Sequence, residues 1–419
     1  MVLKSNWAGN FQYSTTNWHE PETVEEVQQL VTRLSKLRVI GTRHSFNSIA
    51  DSNDNIVSLQ KLNKVLHINR ENESVTVEAG IKYGDLCHIL QQHGYALHNL
   101  ASLPHISVAG ACATATHGSG NSNQNLAAAV RALEVVTEDG SVVTFSREKS
   151  EEELHGAVVG LGGIGVVTKL TLDILPSHQM RQDVYERLPL AQLADNFDAI
   201  YSSAYSVSLF TDWQGETFNQ VWLKSKLTDD QHFSLGGDFY GAKAATEHLH
   251  PVPGVGAENC TAQLGMPGDW LDRMPHFRMD FTPSKGQELQ SEYIMPRDHA
   301  FDALCALNAI RDQIAPHLFI SEIRTIAQDN LWLSPSYKQD SVAFHFTWQD
   351  KWEKVQQILP LIEAQLEPFQ AKPHWGKLFT TSPAKIQSLY EKMPDFQQLL
   401  MKYDPNGKFR NDFLNRYVF

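Results

Sequence analysis

Residues 101–120, ASLPHISVAGACATATHGSG, constrain this chain more than any other segment. They are largely Ala, Gly, Ser and Thr and carry no Asp, Glu, Lys or Arg. Side chains this small cannot fill a core by volume. They do let backbone press against a flat ligand, because little stands out from the main chain to hold it away. A second segment of similar character, GTRHSFN at 41–47, follows a short strand read over Arg38 to Ile40. Its small residues leave backbone N–H groups free to cradle an anionic group such as a pyrophosphate. Taken singly, each segment also reads as an ordinary loop.

Alternating helix and strand surround the two segments. TVEEVQQLVTRL places Val24, Val27, Val31 and Leu34 at helical spacing, and Thr23 with Glu26 fits a capping box. IVSL, VLHINR and SVTVEAG read as three short strands. A helix from about Tyr83 to His93 is closed by Gly94. LEVVTEDGSVVTF is a hairpin turning at Asp139-Gly140, and Gly165 to Leu175 is a strand closed by Pro176. GLGGIG at 160–165 satisfies G-x-G-x-x-G through Gly160, Gly162 and Gly165. The residues after it, VVTKLTLDI, alternate as a strand and open no helix, so a dinucleotide fingerprint is not expected. A tight turn beside a ligand, or simply another strand, is the reading that survives.

From about residue 180 the texture changes. Long loops are expected, including a Gly/Pro-rich stretch at 251–268. Then come the strand ELQSEYIMP, an amphipathic segment at about 298–314, the strands LFISEIRTIA and SVAFHFTW, and a helix over about 350–366. Sheet plus helices of this kind suggest an α+β second domain. The last fifty residues, with HWGKLF and DPNGKFRNDF, read as loop-rich and as returning to the first domain.

At 419 residues the chain is too long for one ordinary core, and about two domains are expected. A net charge of -13 argues against nucleic acid or an anionic membrane as partner, since either wants a basic face. Cys87, Cys112, Cys260 and Cys305 are widely spaced and read as reduced thiols packed like small hydrophobes. His248-Leu249-His250 has no third ligand at convincing spacing, so no metal site is expected. MVLKSNWAGNFQYS lacks the apolar core of a signal peptide, and no run approaches the roughly 18 apolar residues of a membrane span. A soluble, cytoplasmic monomer is the expectation.

With these motifs in view, GTRHSFN and SLPHISVAGACATATHGSG together resemble the FAD-binding domain of the vanillyl-alcohol oxidase superfamily. The chain looks closest to the alditol (xylitol) oxidases, beside the aldonolactone oxidases. The similarity runs on through GAVVGLGGIGVVTKLTL, ELQSEYIMPR, SEIRTIA, HFTW, HWGKLF and DPNGKFRNDF, so it covers nearly the whole chain. It implies an α+β fold in which a two-lobed FAD-binding domain, residues 1–180 and 371–419, flanks a substrate (cap) domain with an antiparallel sheet, residues 181–370.

The resemblance implies FAD bound covalently through His44, which stands in the family's R-H-S motif. A lone His would otherwise read as a hydrogen-bonded loop residue. Such a bond would raise the flavin's potential and prevent its loss. By the same resemblance Gly41, Thr42, Arg43 and Ser45 cradle the pyrophosphate. Ser107, Gly110, Thr114, His117 and Gly118 form a second flavin-contacting loop, and Ile164 and Val167 lie near the adenine. Ala101 and Ser102 belong at the reactive edge, where a small residue at Ala101 leaves room for oxygen.

Period-two geometry supplies the substrate side. Glu322 and Arg324 share one face of SEIRTI, and His345 and Thr347 share one face of SVAFHFTW. If those strands are neighbours, the face is polar enough to bind hydroxyls, although a solvated face with an ion pair reads the same way. The resemblance assigns Lys377, Arg324, Glu322, Ser102 and His345 to catalysis. It assigns Gln290 and Thr347, with Ser102, Glu322 and Arg324, to substrate binding. Glu322 is expected to hold Arg324 in place, and Lys377 can act as a base only with a lowered pKa. The implied reaction oxidises the terminal CH–OH of an alditol such as xylitol or sorbitol to an aldose, with O2 reduced to H2O2. The alternatives are an aldonolactone oxidase acting on gulono- or arabinono-lactone and a flavin dehydrogenase with another acceptor. A flavin-bearing carbohydrate-binding protein without turnover is a third.

Overall fold

The computed structural model describes residues 3–227, 237–281 and 287–419. The N-terminal half builds as its periodicity dictates. Thr23 caps the helix Val24–Arg33 by accepting the Glu26 N–H, while the Glu26 carboxylate reaches back to the Glu22 N–H. The helix Tyr83–Gln92 stops at Gly94, whose φ of 80° suits glycine. Strands Val130–Val136 and Val142–Ser146 pair antiparallel across the Asp139-Gly140 turn. With Val65–Asn69, Ser74–Glu78 and Val166–Asp173 they make an antiparallel sheet of five strands. A small parallel sheet of Trp18–His19, Ile56–Ser58 and Arg38–Ile40 stands apart from it.

Among the described residues, a larger sheet of ten strands follows. Its centre runs Gln179–Pro189, Thr217–Lys226, Ser206–Thr211, Leu318–Ile326, Ser341–Gln349, Glu288–Pro296, each antiparallel to its neighbour. One face carries Leu209, Leu289, Tyr293, Ile323, Phe344, Phe346 and Trp348 against the helices Gln192–Tyr201, Ala300–Ala309 and Trp352–Leu366. The opposite face is polar and turns toward the first core.

Among the described residues, six strands of this sheet, from Gln179–Pro189 to Gly268–Asp269, lie where long loops were expected from the sequence. Gln179–Pro189 carries Arg181, Asp183 and Glu186, which blur its apolar alternation. Ser206–Thr211 is buried on both faces, so its small polar residues lie inside and alternation disappears. The C-terminal segment is likewise helical rather than loop-rich. Pro383 and Pro394 stand in the first turns of Pro383–Leu389 and Met393–Tyr403, and Asn411 caps Asp412–Tyr417. These helices complete the first core through Ile386, Phe396, Leu400 and Leu414. Cys87, Cys112 and Cys260 are buried, but Cys305 is exposed and does not pack as a core residue. No described helix is long and apolar enough to cross a membrane.

Candidate active site

Between the two cores lies a cavity of about 540 Å³. One wall is built from backbone. Gly41 approaches Ser107 so closely that a Cβ placed on it would meet Ser107 Oγ at 2.2 Å. Thr42 Oγ1 accepts the Ser107 N–H at 3.1 Å, which joins the two small-residue segments. Arg43 takes a φ of 64°, a left-handed turn that costs a non-glycine residue about 1 kcal/mol. That turn is held from outside by Trp7 N–H on Arg43 O and by Arg43 Nη1 on Ser5 O.

The glycine turn at 160–165 completes this wall. Buried Arg38 donates to the carbonyls of Leu161, Gly162, Phe409 and Ile49. Leu161 and Gly162 thereby reach the cavity, and the strand Val166–Asp173 follows with no helix. Ile164 is instead packed in the first core, Val167 lies against that core, and Gly118 is buried against Asn99 and Leu100. These three expected cofactor residues do not line the cavity. Gly41, Thr42, Arg43, His44, Ser45, Ala101, Ser102, Ser107, Gly110, Thr114 and His117 all do.

The opposite wall is the polar face of the large sheet. Cross-strand pairing sets Glu322 beside His345, His345 beside Glu292, and Gln290 beside Thr347. The two strands read from period two are therefore neighbours. Lys377 arrives from a loop that extends the edge of the sheet: His374 N–H bonds to Glu292 O, and Leu378 N–H bonds to Gln290 O. Asn47 donates to the carbonyls of Trp375 and Lys377, so the loop carrying His44 and the loop carrying Lys377 are fixed to each other.

Glu292, which the sequence reading did not single out, is the hub of this face. It is 1 % exposed, and its carboxylate lies 2.7 Å from Lys377 Nζ, 2.6 Å from Arg324 Nη2 and 3.3 Å from His117 Nε2. Burial alone would raise its pKa; Lys377, His117 and Arg324 reverse that and hold it well below the usual range. Its signal was available, because Gln290 and Glu292 share a face of ELQSEYIMP by the same alternation. Glu322 is likewise ionised: burial is outweighed by Arg324 and His276. Glu322 is not the main anchor of Arg324, however. Its Oε1 is 3.7 Å from Arg324 Nε and takes its short bond, 2.7 Å, from His276 Nε2.

Lys377 also donates to His345 Nδ1 at 2.8 Å, which leaves His345 Nε2–H for Thr347 Oγ1 at 3.1 Å. Burial, then the Lys377 charge, drives the His345 pKa well down, consistent with a neutral ring. Burial also lowers the Lys377 pKa, against the opposing pull of Glu292. Across the cavity, the His44 ring stacks on Trp7 at 5.1 Å, and its Nδ1 bonds Thr42 Oγ1 at 2.9 Å. Burial, with His105 and Arg43, lowers its pKa to about 4. The ring is thus neutral, and its buried Nε2 has no hydrogen-bond partner. A wall of closely approaching backbone beside a neutral, unpartnered imidazole nitrogen fits a pyrophosphate-bearing flavin.

A model of the FAD binding domain matches residues 18–146, and one of D-arabinono-1,4-lactone oxidase matches residues 281–417. The chain is 47% identical to an alditol oxidase of Streptomyces sp. (strain IKD472 / FERM P-14339), over 98% of this chain and 97% of that protein. It is 25% identical to the L-gulonolactone oxidase of Mus musculus, over 100% of this chain and 98% of the relative. The solved structure of cholesterol oxidase from B. sterolicum superposes with a TM-score of 0.78 at 13% identity, covering 100% of this chain and 96% of that one.

Proposed function

The chain belongs to the alditol oxidase family of vanillyl-alcohol-oxidase-type flavoproteins, and on that premise we propose that it oxidises the terminal CH–OH of an alditol to an aldose with O2 as acceptor. The observation that carries this reading is the Lys377–Glu292–Arg324 cluster, set on a polar sheet face across the cavity from the glycine wall. The chemistry FAD supplies when bound is acceptance of two electrons from the alcohol carbon and onward reduction of oxygen to hydrogen peroxide. Gly41, Thr42, Arg43, Ser45, Ser107, Gly110, Thr114 and His117 would hold it, Ala101 would leave space for oxygen, and His44 would anchor it covalently.

The substrate's hydroxyls lie along Gln290, Thr347, Glu322 and Ser102. Their acceptors and donors are fixed before binding, because Gln290 is held by Glu288 at 2.7 Å and Thr347 by His345. Lys377 takes the proton of the reacting hydroxyl at Nζ. A neutral amine has two N–H bonds and one lone pair. Glu292 and His345 occupy the two N–H bonds, so the lone pair is left for the substrate. Once protonated, Lys377 faces the developing alkoxide together with Arg324, and both cations stabilise it. Glu292 keeps the two cations together without itself taking a proton.

Oxygen consumption with xylitol, sorbitol, gulono-lactone and arabinono-lactone tests the assignment. Peroxide formed from alditols in preference to lactones supports it. The match of residues 281–417 to a lactone oxidase model favours the second reading, and lactone turnover alone would establish that one instead. Reduction of an artificial acceptor without oxygen uptake would identify a dehydrogenase.

A further inference from the structure

His276 belongs to none of the strands that build the polar face. It reaches that face from the segment that follows the short turn Trp270–Asp272, and it lines the cavity. Its Nε2 lies 2.7 Å from Glu322 Oε1. Its Nδ1 is buried without a partner, so the proton is best placed on Nε2, where it meets the carboxylate. The ring is clamped edge-on between Trp222, at 5.0 Å, and Phe210, at 5.6 Å. Its backbone N–H donates at 3.1 Å to Ser102 O, in the loop of the opposite wall. One residue therefore touches a cavity-lining group from each side.

The segment is itself braced from below. Lys224 Nζ donates to Arg273 O at 2.7 Å and to Pro275 O at 2.9 Å, and Thr261 Oγ1 donates to Pro275 O at 2.8 Å. The brace fixes the backbone from which the ring projects.

We propose that His276 is a positioning residue that fixes the Glu322 carboxylate toward the substrate's distal hydroxyls and couples it to Ser102 across the cavity. This rests on the polyol reading above. With Oε1 occupied by His276, Glu322 presents Oε2 in one orientation, and a charged hydrogen bond preset in this way needs no reorganisation on binding. Arg324, His345, Lys377, Lys224 and Tyr201 also act on the Glu322 charge, but Arg324 is bonded to Glu292 and Lys224 to backbone.

The test compares His276→Phe, which keeps the clamped ring, with His276→Gln, which restores an N–H. For xylitol, His276→Phe is expected to raise KM about tenfold with kcat changed much less, the loss expected for one charged hydrogen bond. His276→Gln should recover most of the KM. An unmoved KM in folded His276→Phe would overturn the assignment alone. Equal collapse of kcat and thermal stability in both variants would make the residue structural and overturn it too. A wild-type protein that neither binds nor oxidises xylitol would overturn the polyol reading, and the assignment with it.

Discussion

Glu292 and Lys377 stand 85 positions apart in the chain, yet their side chains meet at 2.7 Å. The strand Glu288–Pro296 supplies the carboxylate, and the loop that continues along its edge supplies the ammonium. Arg324 meets the same carboxylate from a strand two places away across the sheet.

Glu292→Gln should therefore disable both cations while nearly preserving volume. Removing one partner of a buried ion cluster costs about 3–5 kcal/mol, because the remaining charges stay buried. The expected outcome is a kcat/KM for xylitol lower by roughly a hundredfold and a melting temperature several degrees lower. Steady-state oxygen consumption and a thermal melt check it. Near-normal turnover would remove Glu292 from the site's chemistry.

Lys377→Met should lower kcat by about a hundredfold or more while flavin stays bound. In the wild type, kcat/KM should rise with pH through the lowered Lys377 pKa and then level, since the free amine is the competent form. A pH profile of both proteins decides this. An unchanged alkaline rise in Lys377→Met would assign the proton acceptor elsewhere.

His44→Ala should abolish acid-stable flavin. Yellow colour is expected to stay with the acid-precipitated wild-type pellet and to move to the supernatant for the variant. Colour retained in the variant pellet would place the attachment at another residue. Release from the wild type would leave a flavoprotein without the His44 bond.

Lys224 gives a stability prediction with a definite sign. Burial lowers its folded-state pKa to about 7 from 10.5. Between those values the unfolded chain binds the extra proton, so this residue's contribution to stability rises with pH from about 7 toward 10.5. Melts across this range should show a smaller alkaline gain for Lys224→Met than for the wild type. Parallel curves for the two proteins would show that Lys224 does not titrate in this window.

Much of the local order is legible in residues that neighbour each other along the chain. Val24, Val27 and Val31 fixed one helix, Asp139-Gly140 one hairpin, and alternation placed Glu322 with Arg324 and His345 with Thr347 on single faces. These are period and turn effects, carried by residues within a few positions of each other. The same alternation held Glu292 within ELQSEYIMP, but nothing local marked it as the hub, since its partners are Arg324, Lys377 and His117. The strand Gln179–Pro189 was hidden because Arg181, Asp183 and Glu186 blur its alternation, and Ser206–Thr211 because burial on both faces removes it. Tertiary structure alone decided that Ile164, Val167 and Gly118 stay off the cavity wall, and that His276 rather than Arg324 makes the short bond to Glu322. Periodicity fixes which side of a strand a residue faces. Only sheet order and the loops packed on it fix which charge it finds there.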